Sequence, residues 1–127
     1  MAEPFDESYL RLCRRQGRSF VARLTARPGD WLLGAEGLRL AGDPPEPAAN
    51  ELVVPDVERL LHLLRAEAPV IVLDVQQDDF GVTVFDEHGR SLANVVSRNA
   101  PEALLRALLF VRSERAGQGI PLTPVSG

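Results

Sequence analysis

Hydrophobic residues in the second half of the chain follow two periods, one typical of helices and one typical of strands. Apolar residues at helical spacing predict a helix that Pro55 opens and that ends near Ala66. Alternation and short apolar runs then predict three consecutive strands joined by tight turns. These strands are Val70–Val75, Phe80–Phe85 and Ser91–Val96. A capping box of Asn99 and Glu102 starts a final helix, which Gly117 ends.

The first forty residues carry shorter patterns. Asp6 and Gly17 bracket a helix over 7–16, with apolar side chains on one side and arginines on another. Pro28 and Gly29 fit the second and third positions of a tight turn. Short strands are predicted at 20–25, Trp31–Leu33 and Leu38–Leu40.

The order of these elements predicts an α+β fold with two layers, an antiparallel sheet and about three helices, and a C-terminal half of the form α-β-β-β-α. Residues 42–54 are rich in proline and have no periodicity, so we interpret them as a surface connection within one domain over 1–127. The other predicted parts are a basic helix with short strands over 1–41, the core over 55–116 and an irregular tail over 117–127.

The turns at 76–79 and 86–89 predict the faces of the three-stranded sheet. Pairing Val82 with Leu73 on one side and with Ala93 on the other gives one wholly apolar face, against which both helices should pack. The opposite face carries an apolar patch of Val70, Val72, Phe85 and Leu92. We expect this patch to be covered by the N-terminal strands or by a second copy of the protein. Together with the Trp31 region it is the predicted interface.

Composition places the chain among globular proteins. It has 127 residues, of which 45% are hydrophobic and 25% charged. No apolar run approaches the roughly 18 residues of a membrane helix, so no membrane contact is expected. The acidic first residues do not fit a leader, and the single Cys13 suits a reducing compartment. We interpret Cys13 as buried and inert, and we predict a cytoplasmic protein.

All 14 basic residues are arginine, which is typical of a GC-rich bacterial genome. Their placement is uneven: six arginines and no acid lie between Ser8 and Gly29, whereas the remainder from Asp30 onward has a net charge of −7. Four of the six share one face of the first predicted helix, and we call them the arginine stripe: Arg11, Arg14, Arg15 and Arg18. The stripe is a hypothetical nucleic-acid contact, or else a solvated face or a set of salt bridges to the acidic body.

Few residues suggest chemistry. Asp74, Asp78 and Asp79 gather at one end of the predicted sheet, where they could form an acid/base pair or a hard-cation site, or simply be turn residues. His62 and His88 lack surrounding motifs, and the absence of lysine excludes a Walker phosphate loop. We therefore predict no catalytic residues, no cofactor and no metal.

Two resemblances involve the second half of the chain. The order of elements over 55–115 resembles the double-stranded RNA-binding domain, but 97–102 has one arginine and one acid where that family is lysine-rich, so its RNA-binding residues do not carry over. Residues 54–64 and the capped, leucine-rich stretch 99–109 resemble small phage and prophage domains of the ABA-sandwich kind. That resemblance implies an αβ fold and no catalytic residues.

The predicted function is therefore that of a small, non-enzymatic binding or adaptor protein of the bacterial cytosol, of phage-like or accessory type. It would act through contacts with a protein partner or through self-association as a homodimer. One alternative is nucleic-acid binding through the arginine stripe. The other, ranked last, is a small enzyme that uses Asp74, Asp78 and Asp79.

Overall fold

A computed structural model describes residues 5–16 and 24–117. The fold is of the predicted α+β class, with three helices and two three-stranded antiparallel sheets where a single sheet was expected. The helices are α1 (Glu7–Gln16), α2 (Val57–Glu67) and α3 (Ala100–Gly117). The strands are β1 (Trp31–Gly34), β2 (Gly37–Leu40), β3 (Leu52–Val54), β4 (Val70–Val75), β5 (Phe80–Phe85) and β6 (Ser91–Ser97).

The chain divides into two compact units, Met1–Asp56 and Val57–Gly127. The interpretation of 1–127 as one domain stays a prediction. No helix in the described part of the chain has both the length and the apolar content needed to cross a bilayer.

The first unit contains helix α1 and a sheet with the strand order β2-β1-β3. Helix α1 has the predicted bounds, and it contacts β3. Its apolar side, with Tyr9, Leu12 and Cys13, is buried as expected. The Tyr9 hydroxyl donates a hydrogen bond of 2.6 Å to the carbonyl of Pro55, so the helix is fixed to the residue that follows β3.

Buried residues from the strands and their flanks form the core of this sheet. Leu32, Ala41 and Val53 form the cluster, and Leu24 and Ala26 pack against it. The predicted turn before β1 is confirmed: the Asp30 N–H donates to the Arg27 carbonyl at 3.0 Å, and Gly29 has a φ of 87°. A positive φ at this third position is typical of a type II turn and favours glycine.

The proline-rich connection of the first unit is shorter than predicted. The proline-rich connection was placed over 42–54, but 52–54 form β3, which pairs antiparallel with β1. Three residues are too few for a periodic signal, and the strand is specified by its pairing with β1. The strand expected over 20–25 lies mostly outside the described residues, and its last two, Leu24 and Thr25, are not in a strand.

The second unit contains a sheet with the strand order β4-β5-β6 and the helices α2 and α3. The register of β4 with β5 is as predicted, with Leu73 opposite Val82. The register of β5 with β6 is two residues away from the prediction, because Val82 lies opposite Val95 and a bulge follows Val84. From Ala93 onward this shift of two residues keeps the side chains of β6 on their expected faces, since the side-chain period of a strand is two. Before the bulge, Phe85 lies opposite Ser91, one residue from the expected Arg90.

The helices of the second unit begin close to their predicted positions. Helix α2 starts at Val57 and not at Pro55. The proline was expected inside the first turn of the helix, but it lies before the helix, and Asp56 separates it from the first helical residue. The predicted N-cap of α3 is confirmed, because the Asn99 Oδ1 accepts a hydrogen bond of 2.9 Å from the Glu102 N–H. The Glu102 Oε1 in turn accepts a hydrogen bond of 3.2 Å from the Asn99 side-chain Nδ2. Helix α3 ends at Gly117 as expected, and the remainder of the predicted tail lies outside the described residues.

Helix α3 supplies most of the core of the second unit. It contacts β5, β6 and α2. Its fully buried residues are Ala103, Leu104, Leu105, Ala107, Leu108 and Val111. Beside them an ion pair links the two helices, with the Arg112 Nε 3.1 Å from the Glu67 Oε2 and the Glu67 side chain without solvent exposure.

Candidate functional site

Strand β4 is an edge strand, and it is the most exposed apolar strand described. The face of the sheet that was predicted to be buried is buried at Val82, Val84 and Ala93, on β5 and β6. On β4 the same prediction is wrong, because Leu73 is 41% exposed and Val75 is 73% exposed. Large apolar side chains are therefore exposed on the helix-bearing face of the sheet as well as on the opposite face.

The position of the helices explains this exposure. Helix α3 contacts β5 and β6, whereas β4 is contacted, and less extensively, by α2. The central strand is therefore covered and the β4 side is left open. Periodicity in the sequence assigns residues to a face, but it cannot show how far across that face a helix extends.

The opposite face of the sheet carries the predicted interface residues. Val70 and Val72 are 45% and 47% exposed, and Phe85 and Leu92 are half-buried. The register places Val70 beside Phe85 and Val72 beside Thr83. The predicted patch therefore exists as a surface of mixed exposure that reaches the β4 edge.

At the outer edge of β4, no strand among the described residues pairs with the backbone. The hairpin is closed by a hydrogen bond of 2.9 Å from the Gln76 N–H to the Asp79 carbonyl. In an antiparallel ladder, hydrogen-bonded and non-hydrogen-bonded pairs alternate along the strand. Counting back from Gln76, the groups of Ile71, Leu73 and Val75 point away from β5. We call this row of N–H and C=O groups, with the side chains of β4, the free edge.

Charge on the free edge is limited to one residue. Asp74 is exposed, and its Oδ2 accepts a hydrogen bond of 3.0 Å from the Gln76 Nε2. Asp78 and Asp79 are exposed in the following turn. Among the residues the structure describes, no three His, Cys, Asp or Glu side chains are grouped so that they could hold a metal ion.

The predicted neighbour of Asp74 also changes. Asn94 was expected beside Asp74 across Gly81, but the shifted register places Val96 opposite Gly81 and Asn94 opposite Thr83. The carboxylate is therefore next to an apolar side chain on that row. The enzymatic hypothesis for the three aspartates stays a prediction.

The arginine stripe lies on the exposed side of α1. Arg11, Arg14 and Arg15 are exposed, and Arg18 lies outside the described residues. The Arg14 Nη2 donates a hydrogen bond of 3.0 Å to the carbonyl of Gly34, which fixes this guanidinium to the end of β1.

Cys13 lies on the buried side of the same helix, as interpreted from the sequence. Burial raises the pKa of the Cys13 thiol to about 11, although a hydrogen bond with Tyr9 opposes the shift. Burial also raises the pKa of Tyr9, with a smaller contribution from the neighbouring thiol. A thiol with a raised pKa holds little thiolate at neutral pH, so it is a poor nucleophile.

A cleft of about 470 Å³ lies in the first unit, beside the turn between β1 and β2. Arg39 and Glu51 both line it, and the Arg39 guanidinium donates two hydrogen bonds of 2.7 Å to the Glu51 carboxylate, from Nε and Nη2. The hydrogen bonds from Arg39, and then the one from the Ala48 N–H, lower the pKa of Glu51 to about 2. The pair was missed from the sequence because it depends on β3, which places Glu51 across from Gly34.

Trp31 and the turn that contains His88 are held by local contacts. Trp31 is half-buried at the start of β1, opposite Leu40 and Val54. In the turn between β5 and β6, the Asp86 carboxylate accepts hydrogen bonds from the backbone N–H groups of His88 and Arg90. These bonds, with the charge of Arg90, hold the pKa of Asp86 below its usual range.

No family model, no curated protein and no solved structure matches this chain. The resemblance of 54–64 and 99–109 to ABA-sandwich domains stays a prediction.

Proposed function

We propose that this chain is a small protein-binding module that acts through the free edge of its second sheet. The observation that carries this proposal is the exposure of four large apolar side chains on one six-residue edge strand. These are Val70, Val72, Leu73 and Val75. Unpaired N–H and C=O groups beside exposed apolar side chains are the features that accept an added strand from another chain.

The protections that edge strands usually carry are sparse on β4. Edge strands are commonly blunted by lysine, proline, a bulge or shortness. β4 has six residues and contains neither proline nor a basic residue, and the bulge of this sheet lies in the β5–β6 pair. Its single charge is Asp74, near the C-terminal end.

Site-specific photocrosslinking in the native host tests this function. The photoreactive residue p-benzoylphenylalanine is placed at Val75 and, in a matched control, at His62, which is exposed on α2. We expect covalent protein adducts from the Val75 position that are several-fold more abundant than those from the control. Equal yields at both positions, or no adduct at Val75, would contradict binding through the free edge.

Nucleic-acid binding by the arginine stripe is the second candidate function. It is favoured by the exposure of Arg11 and Arg15, for which the described part of the chain provides no salt-bridge partner. Exposed cations along one helix face can follow a phosphate backbone, and such binding weakens as salt rises.

Gel shifts with single- and double-stranded DNA and RNA test this second function. We expect binding at low salt that is lost when Arg11→Glu and Arg15→Glu are combined. The matched control is Arg65→Glu, a reversal at an exposed position on α2. Absence of any shift at low salt would exclude nucleic-acid binding by the stripe.

A further inference from the structure

We infer that the strand added to the free edge is β4 of a second copy of this chain, so that two three-stranded sheets join into one of six strands. This inference rests on the proposed function and names the partner of the same site. Three properties of β4 support it: the backbone groups that point outward, the placement of its one charge and the way the assembly closes.

The outward groups select one register. Ile71, Leu73 and Val75 each direct an N–H and a C=O away from β5. Antiparallel pairing centred on Leu73 places these three residues against Val75, Leu73 and Ile71 of the second copy. All outward groups are then used, giving about six hydrogen bonds between the chains.

Neighbouring registers are less favourable. Pairing centred on Val72 would place Val75 opposite Pro69, which has no N–H to donate. Pairing centred on Asp74 would place two carboxylates directly opposite each other, which is destabilising. A register shifted by an odd number of residues would place side chains from the helix-bearing face of one copy next to side chains from the opposite face of the other. In the Leu73 register, Asp74 lies opposite Val72 of the second copy.

This register also buries the side chains whose exposure was unexpected. On the helix-bearing face, Leu73 meets Leu73 of the second copy, and Val75 meets Ile71. The two most unusual exposures on that face, at Leu73 and Val75, are thus removed in one contact. The two-fold axis is perpendicular to the sheet, so the helices of both copies lie on the same side.

Pairing of β4 with β4 is also favoured because it gives an assembly that stops at two chains. Pairing of β4 with β6 of another copy would leave a free β4 at the end of each assembly and would continue into a fibre. Pairing of β4 with itself uses both apolar edges and stops at two chains. The remaining edges belong to β6, which adjoins the bulge and exposes the polar residues Ser91 and Asn94.

Sedimentation equilibrium of the purified full chain, with three charge variants, tests the partner and the register. The wild type is expected at twice the 13.9 kDa chain mass. Leu73→Arg places two like charges against each other on the axis and should raise the dimer dissociation constant at least about 100-fold. Val72→Arg, on an equally exposed neighbour, faces Asp74 of the second copy, so opposite charges meet and the dissociation constant should rise far less. The matched control outside the free edge, His62→Arg on α2, should leave the dimer intact. Circular dichroism confirms that all three variants fold.

Oxidative crosslinking gives a second readout. In the Leu73 register only this residue of β4 meets itself, at a Cα separation of about 5.5 Å that a disulfide can span. Leu73→Cys should therefore oxidise to a covalent dimer. Val75→Cys should do so much less, although Val75 is the more exposed position.

Each contrary result has a defined meaning. A wild type that stays monomeric at all concentrations overturns the second-copy inference, and adducts of Val75 with a different protein in the host would then leave the proposed function standing. Dimers that survive Leu73→Arg, or that are lost with Val72→Arg, overturn the register. If neither a dimer nor an adduct is observed, both the second-copy inference and the proposed function are overturned.

Discussion

Strands β4 and β6 flank the same central strand, but their surroundings differ. β6 pairs with β5 through a bulge, and α3 packs over it, so that Ala93 is buried. β4 pairs without a bulge, and its Leu73 and Val75 are exposed on that same face. β4 is nevertheless the more apolar strand of the two. Burial in this sheet therefore follows the position of α3 and not the apolar content of the strand.

Replacing a buried leucine of α3 and an exposed leucine of β4 should reveal the largest difference in the free energy of unfolding. Leu108→Ala removes a fully buried α3 side chain, and we expect it to lower the free energy of unfolding by about 2–5 kcal/mol. Leu73→Ala on β4, measured at low protein concentration, should cost less than about 1 kcal/mol, since this leucine is already partly hydrated. Urea denaturation followed by circular dichroism measures both. Equal losses would show that β4 is covered in solution.

The ion pair between α2 and α3 should come next. Arg112→Met leaves the buried Glu67 carboxylate without this guanidinium, and we expect a loss of about 3 kcal/mol in stability. Arg106→Met, on the same helix, removes a more exposed partner of Glu102, and the loss should be about 0.5 kcal/mol. The exposed fractions of the two arginine side chains are 24% and 44%. Thermal or urea unfolding measures the loss of stability in each variant. Similar losses would contradict the expected difference in stability between the buried and the exposed ion pair.

The cap of α3 should have a smaller effect. Asn99→Ala removes the acceptor of the Glu102 N–H, and we expect a loss of about 1 kcal/mol. Asn94→Ala, at an exposed position on β6, is the control and should be close to neutral. A neutral Asn99→Ala, measured by urea denaturation, would mean that packing alone fixes the start of the helix.

The ion pair of Arg39 with Glu51 should make the stability of the first unit depend on pH in the acid range. Because the pKa of folded Glu51 is lowered to about 2, its contribution to stability is full above its ordinary pKa near 4.5 and is lost as pH falls from about 4.5 to about 2. An NMR titration of the Glu51 side-chain carbons measures this directly. Arg39→Gln should return the pKa toward its ordinary value, and an unchanged titration would contradict the cause given above.

How much of the fold was predictable depends on the kind of signal. Helix α1, strand β5 and the Asn99 cap followed from periodicity and capping, which are local properties of the chain. The β5–β6 register was wrong by two residues. The turn places Phe85 opposite Ser91 where Arg90 was expected, the bulge after Val84 adds a second residue, and neither is signalled by the local sequence. β3 was missed because three residues become a strand only through pairing with β1.

The candidate site was predictable in part for a related reason. Val70 and Val72 were singled out because the strand pattern placed them together on a face with no helix assigned to it. Leu73 and Val75 were assigned to the helix-covered face, and only the position of α3 shows that they are exposed. The extent of a helix across a sheet is a tertiary property, which alternation along one strand does not contain.

The hydrogen bond from Tyr9 to the Pro55 carbonyl has a consequence for cleavage of the chain. It joins residues 46 positions apart and lies near the two ends of the first unit. Between them, residues 46–50 form an exposed stretch with the features of a protease-sensitive loop. A single cut there would leave two pieces that stay associated through α1, the β1–β3 pairing and this bond. The nicked protein would run as one species on a sizing column and as two bands after denaturation.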